Sequence, residues 1–207
     1  MQGTPEWHQA RLGKLTASRI KDAIAKTKTG WGASRANLMA TLICERLTGQ
    51  PAPSFINDAM RWGTETEPQA RAAYSLHTGA DVEEVGFIDH GSIVMAGASP
   101  DGMIGDLGLL EIKCPNTATH LDTLLRGDCP TDYVPQMQWQ MACTGRAWCD
   151  FASFDPRLPE PMRLFVTRVH RDDRFISELE AMAREFLDEL DTKVTTLRAK
   201  YELGQAA

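Results

Sequence analysis

The chain has 207 residues, 43% hydrophobic and 24% charged, with 22 Lys and Arg against 28 Asp and Glu and a net charge of −6. This composition excludes a disordered, collagenous or disulfide-scaffold chain and is sufficient for a single domain over residues 1–207. The longest apolar runs, such as LMATLIC, fall far short of about 30 Å of hydrocarbon, and MQGTPEWHQARLGK carries no apolar stretch of secretory type, so a cytoplasmic protein with no membrane span is expected. In chain order, Thr16 or Ser18 is placed to cap a first helix, RIKDAIAK, and residues 26–34 (KTKTGWGAS) read as a polar, Gly-bearing loop. A second helix is predicted over about 35–47, stopped by Gly49 and Pro51, and a third over about 57–77, stopped by Gly79. From Val82 the period shortens: EEVGFIDH, SIVMAGAS, GMIG and GLLEIKCP read as a β-meander following three helices. A helix over 135–143, strands RAWCDFASF and RLFVTRVHR, and a long amphipathic helix over 172–200 complete the order. The fold class is α/β, with helices against a mostly mixed sheet.

Cys44, Cys114, Cys129, Cys143 and Cys149 are odd in number and lack metal-ligand spacing, which predicts reduced, mostly buried thiols. The acidic total argues against a polyanionic partner, yet residues 1–50 carry eight basic and three acidic residues, so the remainder holds −11. The basic first quarter is therefore the expected nucleic-acid face, and the acidic C-terminal helix is expected to lie away from it.

The densest chemistry is Ser99-Pro100-Asp101-Gly102 followed, with nine residues between the acids, by Glu111-Ile112-Lys113. Side chains alternate along a strand, so Glu111 and Lys113 share a face, and a hairpin of this length brings Asp101 beside Glu111. Paired carboxylates suit Mg²⁺, which takes one or two of them with water and substrate phosphate. A neighbouring lysine can position or deprotonate an attacking water, and nearby metal charge should lower its pKa. Each half alone is an ordinary turn or a solvated strand face. Together they match the Pro-Asp…Glu-x-Lys signature of the restriction-endonuclease-like nuclease superfamily, whose core is a central mixed sheet flanked by helices.

Six segments, WHQARLGKLTAS, RWGTETEPQAR, ASPDG, LLEIKCP, YVPQMQWQM and FDPR, resemble in this order the lambda-type phage exonuclease family of viral recombinases. The resemblance implies a Mg²⁺-dependent enzyme, two ions per site with Mn²⁺ as a substitute, degrading one strand of linear duplex DNA from a 5′-phosphate end to leave a 3′ overhang. It further implies a homotrimeric ring, a single-strand annealing protein as partner, and the cytoplasm of a bacterial host as location.

Asp101 and Glu111 match the family's metal-binding acids, with the Ile112 carbonyl as a further ligand, and Lys113 matches its catalytic lysine. Glu67 falls at the active-site glutamate. Glu65 competes for that role, and Gly63 is expected to favour Glu67 by letting the helix lie close to the sheet. Gln136 matches the active-site glutamine, although Gln136, Gln138 and Gln140 also fit the polar positions of a half-exposed helix, with Gln140 on the face of Gln136. Arg11 and Ser18 match residues that hold the 5′-phosphate, which suits a guanidinium fork and a helix N-terminus. Lys28 stands where the family can have an arginine at the duplex end, and Met60 is either an apolar wedge or core. Two rival readings remain: an endonuclease or repair nuclease of the same fold, and a non-catalytic DNA-end or partner-binding module.

Overall fold

The computed structural model describes residues 2–28, 30–52 and 57–201. Thr29, in the segment expected as a loop, and Glu202, one of the C-terminal acids, lie outside the described residues. The elements are α1 (Pro5–Arg11), β1 (Leu15–Thr16), α2 (Ile20–Ala23), β2 (Lys26–Thr27), β3 (Gly30–Trp31), α3 (Ala33–Thr48) and α4 (Asp58–Thr78). Then follow β4 (Val82–Glu83), β5 (Ile88–Asp89), β6 (Ala96–Ala98), β7 (Gly102–Ile104), β8 (Gly108–Lys113) and α5 (Thr117–Arg126). The chain ends with α6 (Val134–Thr144), β9 (Trp148–Phe154), β10 (Leu164–His170) and α7 (Asp173–Lys200). Among the described residues no helix is long and apolar enough to cross a membrane.

The long helices stop where local chemistry stops them. Gly49, Gly79 and Gly145 end α3, α4 and α6 in the left-handed region that a Cβ disfavours. The Asn57 and Asp172 side chains cap α4 and α7 by accepting the amides of Met60 and Phe175.

The principal sheet has the order β10-β9-β8-β7-β4, with β8 and β9 parallel and the other pairs antiparallel. A parallel pair needs a crossover, and α5 and α6 supply it. One face of the sheet presents Leu109 and Phe151 to Met137 and Met141 of α6. The other presents Leu110, Ile112, Ala152 and Phe154 to Ala70 and Tyr74 of α4. A further core joins β1 and β6 to α2, α3, α6 and α7 around Leu15, Ile20, Leu38, Trp139 and Phe186.

Several expectations are corrected. The central strands do not form one meander, because β6 pairs with β1 and β5 in a separate sheet while β7 pairs with β8 and β4. The chain changes sheets at Ser99–Asp101, and EEVGFIDH divides between β4 with its following loop and β5. Strands also precede the third helix. β2 and β3 pair as antiparallel strands, Lys26 against Trp31 and Thr27 against Gly30, with Gly30 at φ 140°. The first predicted helix is a short turn over Ala17–Arg19 followed by the single-turn α2, and Ser18 does not cap it. All five cysteines are free, but Cys129 and Cys149 alone are buried and Cys44 is exposed.

The charge asymmetry is also resolved differently. Buried Arg35 and half-buried Arg46 of α3 pair with Glu189 and Asp191 of α7, so part of the basic first quarter is neutralised by the acidic helix that was expected to lie away from it.

Candidate active site

The hairpin register sets Gly102 opposite Leu110, and the Asp101 amide donates to the Leu110 carbonyl at 3.1 Å. Asp101 therefore lands beside the end of β8, where its Oδ2 accepts the Ile112 amide at 2.7 Å. Glu111, 1% exposed, points from β8 toward α6. Its Oε1 accepts from Lys113 Nζ and, at 2.6 Å, from Gln136 Nε2. Its Oε2 accepts from Gln140 Nε2, also at 2.6 Å. Gln136 and Gln140 lie one turn apart on α6 and so reach the same carboxylate. Gln138 faces elsewhere: it donates to the His170 carbonyl at 2.8 Å and accepts the Asp172 amide at 2.9 Å, tying β10 to the start of α7.

These groups border one cleft of about 540 Å³, lined by Asp101, Glu111, Ile112 and Lys113 from the sheet, Gln136 from α6, Arg11 and Ser18 from the N-terminal segment, and Met60, Gly63 and Glu67 from α4. Glu67 enters it from α4, held by Arg71 at 2.6 Å, whereas Glu65 is exposed away from the cleft. The expected role of Gly63 is corrected, since a Cβ added there would meet nothing within 4 Å. A small residue at this point leaves the cleft mouth open and does not bring the helix onto the sheet. Met60 is 53% exposed at that mouth, which removes the core alternative. Lys28 is exposed just after β2 and is not among the lining residues.

Arg11 is fixed in three ways. Its guanidinium lies 4.1 Å from the centre of the Trp7 ring, it donates to Ser99 Oγ at 3.2 Å, and Trp7 Nε1 donates to the same hydroxyl at 2.9 Å. Trp7 was not singled out from the sequence, and Ser99 was named there only as part of the turn before Asp101, although each lies in a segment that carried the resemblance. Ser99 thereby links Arg11 to the turn that supplies Asp101. Ser18 Oγ lies 3.3 Å from Thr16 Oγ1 and faces the cleft from a 3₁₀ turn, not from the helix N-terminus expected for it. Tyr133, also overlooked, stacks on Phe151 at 5.4 Å and offers its ring to Lys113 Nζ at 5.2 Å.

The electrostatics reflect crowded acids in a dry pocket. Burial, and then the Glu111 charge, push the Asp101 carboxyl well above its ordinary range. Burial likewise raises Glu67, against the opposing pull of Arg71. For Lys113 burial acts to lower the pKa, but the Glu111 and Asp101 carboxylates outweigh it and hold the ammonium above its ordinary range. Burial lowers Arg11 to about 10. The Cys114 thiol at the cleft wall is pushed up to about 12 by burial, then by the charges of Glu67 and Asp101. Among the described residues no three His, Cys, Asp or Glu side chains converge as a ready ligand cluster. Asp101 and Glu111 are the pair that could hold a hard cation.

Comparison with solved structures defines the class as an α/β protein of nuclease fold. A phage-related exonuclease from Haemophilus somnus 129PT superposes with a TM-score of 0.66 at 16% identity, covering 87% of this chain and 96% of that one, a likeness of fold alone. The family model of the YqaJ-like viral recombinase domain matches residues 6–147, and the chain belongs to that family. An alkaline exonuclease (LHK-Exo) from Laribacter hongkongensis is 54% identical, with a TM-score of 0.90 over 96% of this chain and 98% of that one. The structure of LHK-Exo in complex with dAMP matches equally, at a TM-score of 0.91 and 54% identity over the same shares of the two chains. No curated protein matches the chain.

Proposed function

We propose that this protein is a Mg²⁺-dependent exonuclease that hydrolyses one strand of linear duplex DNA from a 5′-phosphorylated end and leaves a 3′ single strand. The observation that carries the reading is the cleft itself, which Asp101, Glu111, Lys113 and Gln136 line together with Arg11 and Ser18. The exonuclease named in its 54% identical relative supports the reaction class. The donor set fits the metal. Two carboxylates, buried Glu111 on β8 and half-buried Asp101 just before the adjacent β7, give hard oxygen ligands in the number Mg²⁺ takes, and the elevated Asp101 carboxyl marks negative charge that a cation would relieve. Asp101, Glu111 and the Ile112 carbonyl would hold it, with Mn²⁺ an acceptable substitute for ligands of this kind. When bound, two such ions would offset the charge of the scissile phosphate and of the leaving oxygen.

The chain's own groups supply the rest. Arg11, rigid against Trp7 and Ser99, grips the terminal 5′-phosphate with the Ser18 hydroxyl and so sets which phosphodiester reaches the acids. Lys113, held protonated by its acidic neighbours, donates to the attacking water or to a phosphate oxygen. Gln136 shares this donor role from α6, its carbonyl oxygen 3.5 Å from Lys113 Nζ. Glu67, braced by Arg71, adds negative charge across the cleft and keeps Lys113 charged. Met60 and Lys28 contact the duplex, Met60 at the cleft mouth and Lys28 from just after β2. A homotrimer enclosing the duplex and an annealing protein loading on the exposed 3′ strand belong to the same reading.

The test compares linear duplex carrying 5′-phosphate or 5′-hydroxyl ends with covalently closed circular DNA. A 5′-phosphate end should be degraded at least tenfold faster, roughly the value of one charged contact, and circles should stay intact. Equal rates on both ends would remove the Arg11 and Ser18 assignment, and cleavage of circles would favour an endonuclease.

A further inference from the structure

We propose that Gln140 is a positioning residue of this site: it pins one oxygen of Glu111 so that only the other faces the cleft. The inference rests on the reading of Glu111 as a metal ligand. Gln140 is fully buried and absent from the cleft lining, so it does not touch substrate. Its Nε2 donates to Glu111 Oε2 at 2.6 Å, while both partners of Oε1, Lys113 and Gln136, line the cleft. The two carboxylate oxygens are thus sorted, Oε2 inward and Oε1 outward.

The amide orientation follows from chemistry. Turning it over would set a carbonyl oxygen against a buried carboxylate, whereas the present orientation leaves Gln140 Oε1 to the Cys149 thiol at 4.0 Å. A carboxylate on a flexible side chain can rotate its plane. Anchoring one oxygen from the rigid α6 fixes that plane before any ligand arrives. Glu111 then offers a single oxygen outward and binds through it alone. Gln136 cannot substitute, because its amide engages the outward oxygen and borders the cleft.

The test uses Gln140→Met, which removes the donor while keeping length and an unbranched side chain, with Gln140→Leu as a second variant should the first not fold. Calorimetric titration with Mn²⁺ alone, without DNA, is paired with steady-state kinetics on linear duplex and with thermal unfolding. Removing a group that orients a ligand weakens metal binding or activity by about 10- to 100-fold. Mn²⁺ affinity and kcat should therefore both fall at least tenfold while KM for DNA stays within twofold. A purely structural role would lower the unfolding midpoint yet leave Mn²⁺ affinity and kcat of the folded variant at wild-type values, and that result overturns the proposal. Failure of the wild type to bind Mn²⁺ overturns the metal reading, and this proposal with it.

Discussion

Tyr74→Phe removes one hydroxyl from the face of the sheet opposite Glu111. Tyr74, 1% exposed on α4, donates to Asp150 Oδ2 at 2.6 Å. Asp150, 3% exposed on β9, also receives the Arg168 fork at 2.7 and 3.0 Å. A hydrogen bond to a buried charged group contributes about 1.5–3 kcal/mol. Oδ2 keeps its bond from Arg168 after the substitution, so the lower part of that range applies, about 1.5–2 kcal/mol. For a chain of this size each kcal/mol moves the thermal midpoint by about 2–4 °C, so a fall of about 3–8 °C is expected. Thermal unfolding followed by circular dichroism, with urea titration for the free energy, measures it. Asp150 pairs with Leu110 in the strand register and so lies on the α4 face. Nuclease activity at 25 °C should consequently be unchanged. A midpoint within 1 °C of wild type would show that Arg168 alone satisfies Asp150 and would refute the reasoning. Arg168→Met is expected to cost somewhat more, about 2–3 kcal/mol, because it removes two hydrogen bonds from the Asp150 carboxylate while Arg168 itself is 46% exposed.

Asp155 sits at 0% exposure. Burial works to raise its carboxyl, but bonds from Arg157 and Thr117 outweigh this and hold it at about 2. A carboxyl lowered on folding stabilises the protein where it is ionised, so the stabilisation is present above the ordinary range near pH 4 and fades as pH falls toward 2. The midpoint difference between wild type and Asp155→Asn should be largest at neutral pH and shrink below pH 4; a difference independent of pH would contradict this. Gly108→Ala places a Cβ 2.1 Å from the Trp148 ring, which is itself stacked 3.5 Å from Arg168. Overpacking of this kind costs about 1–3 kcal/mol in urea titration, and a neutral result would mean the ring moves freely. Glu67→Gln should lower kcat at least tenfold while Glu65→Gln stays within twofold, since only Glu67 borders the cleft; equal effects in steady-state assays would reverse the choice between them.

The parts of the fold legible in sequence were those with local causes. Glycine stops placed the ends of α3 and α4 and the amphipathic period placed α7 to within a few residues, and the turn at Pro100-Asp101-Gly102 set the register that brings Asp101 to Glu111. The helix α1 escaped notice because its seven residues bury none of their number, although Thr4 and Pro5 mark its start. α5 was missed in the same way despite Asn116 and Gly127 at its ends, since its buried side chains include His120 and Thr123, which break the apolar stripe. The division into two sheets was not legible, because β1 joins the β5–β6 pair by setting Leu15 against Ala96 across a long stretch of sequence. At the site, periodicity alone could not choose among Gln136, Gln138 and Gln140. That choice depends on where β8 and β10 lie relative to α6, which is a property of the tertiary fold. The basic first quarter misled for a similar reason, as Arg35 and Arg46 find their acids on a helix about 150 residues later.

The central claim is that Asp101, Glu111 and Lys113 form a metal-dependent exonuclease centre. The most direct measurement is release of mononucleotides from linear duplex DNA with each strand separately labelled, with Mg²⁺ or with chelator, for wild type and Lys113→Ala. The account predicts Mg²⁺-dependent release from the 5′-ended strand only, abolished by chelator and reduced at least a hundredfold in Lys113→Ala, as for loss of a group acting in the transition state. Release that persists in chelator, or in Lys113→Ala at the wild-type rate, would contradict it.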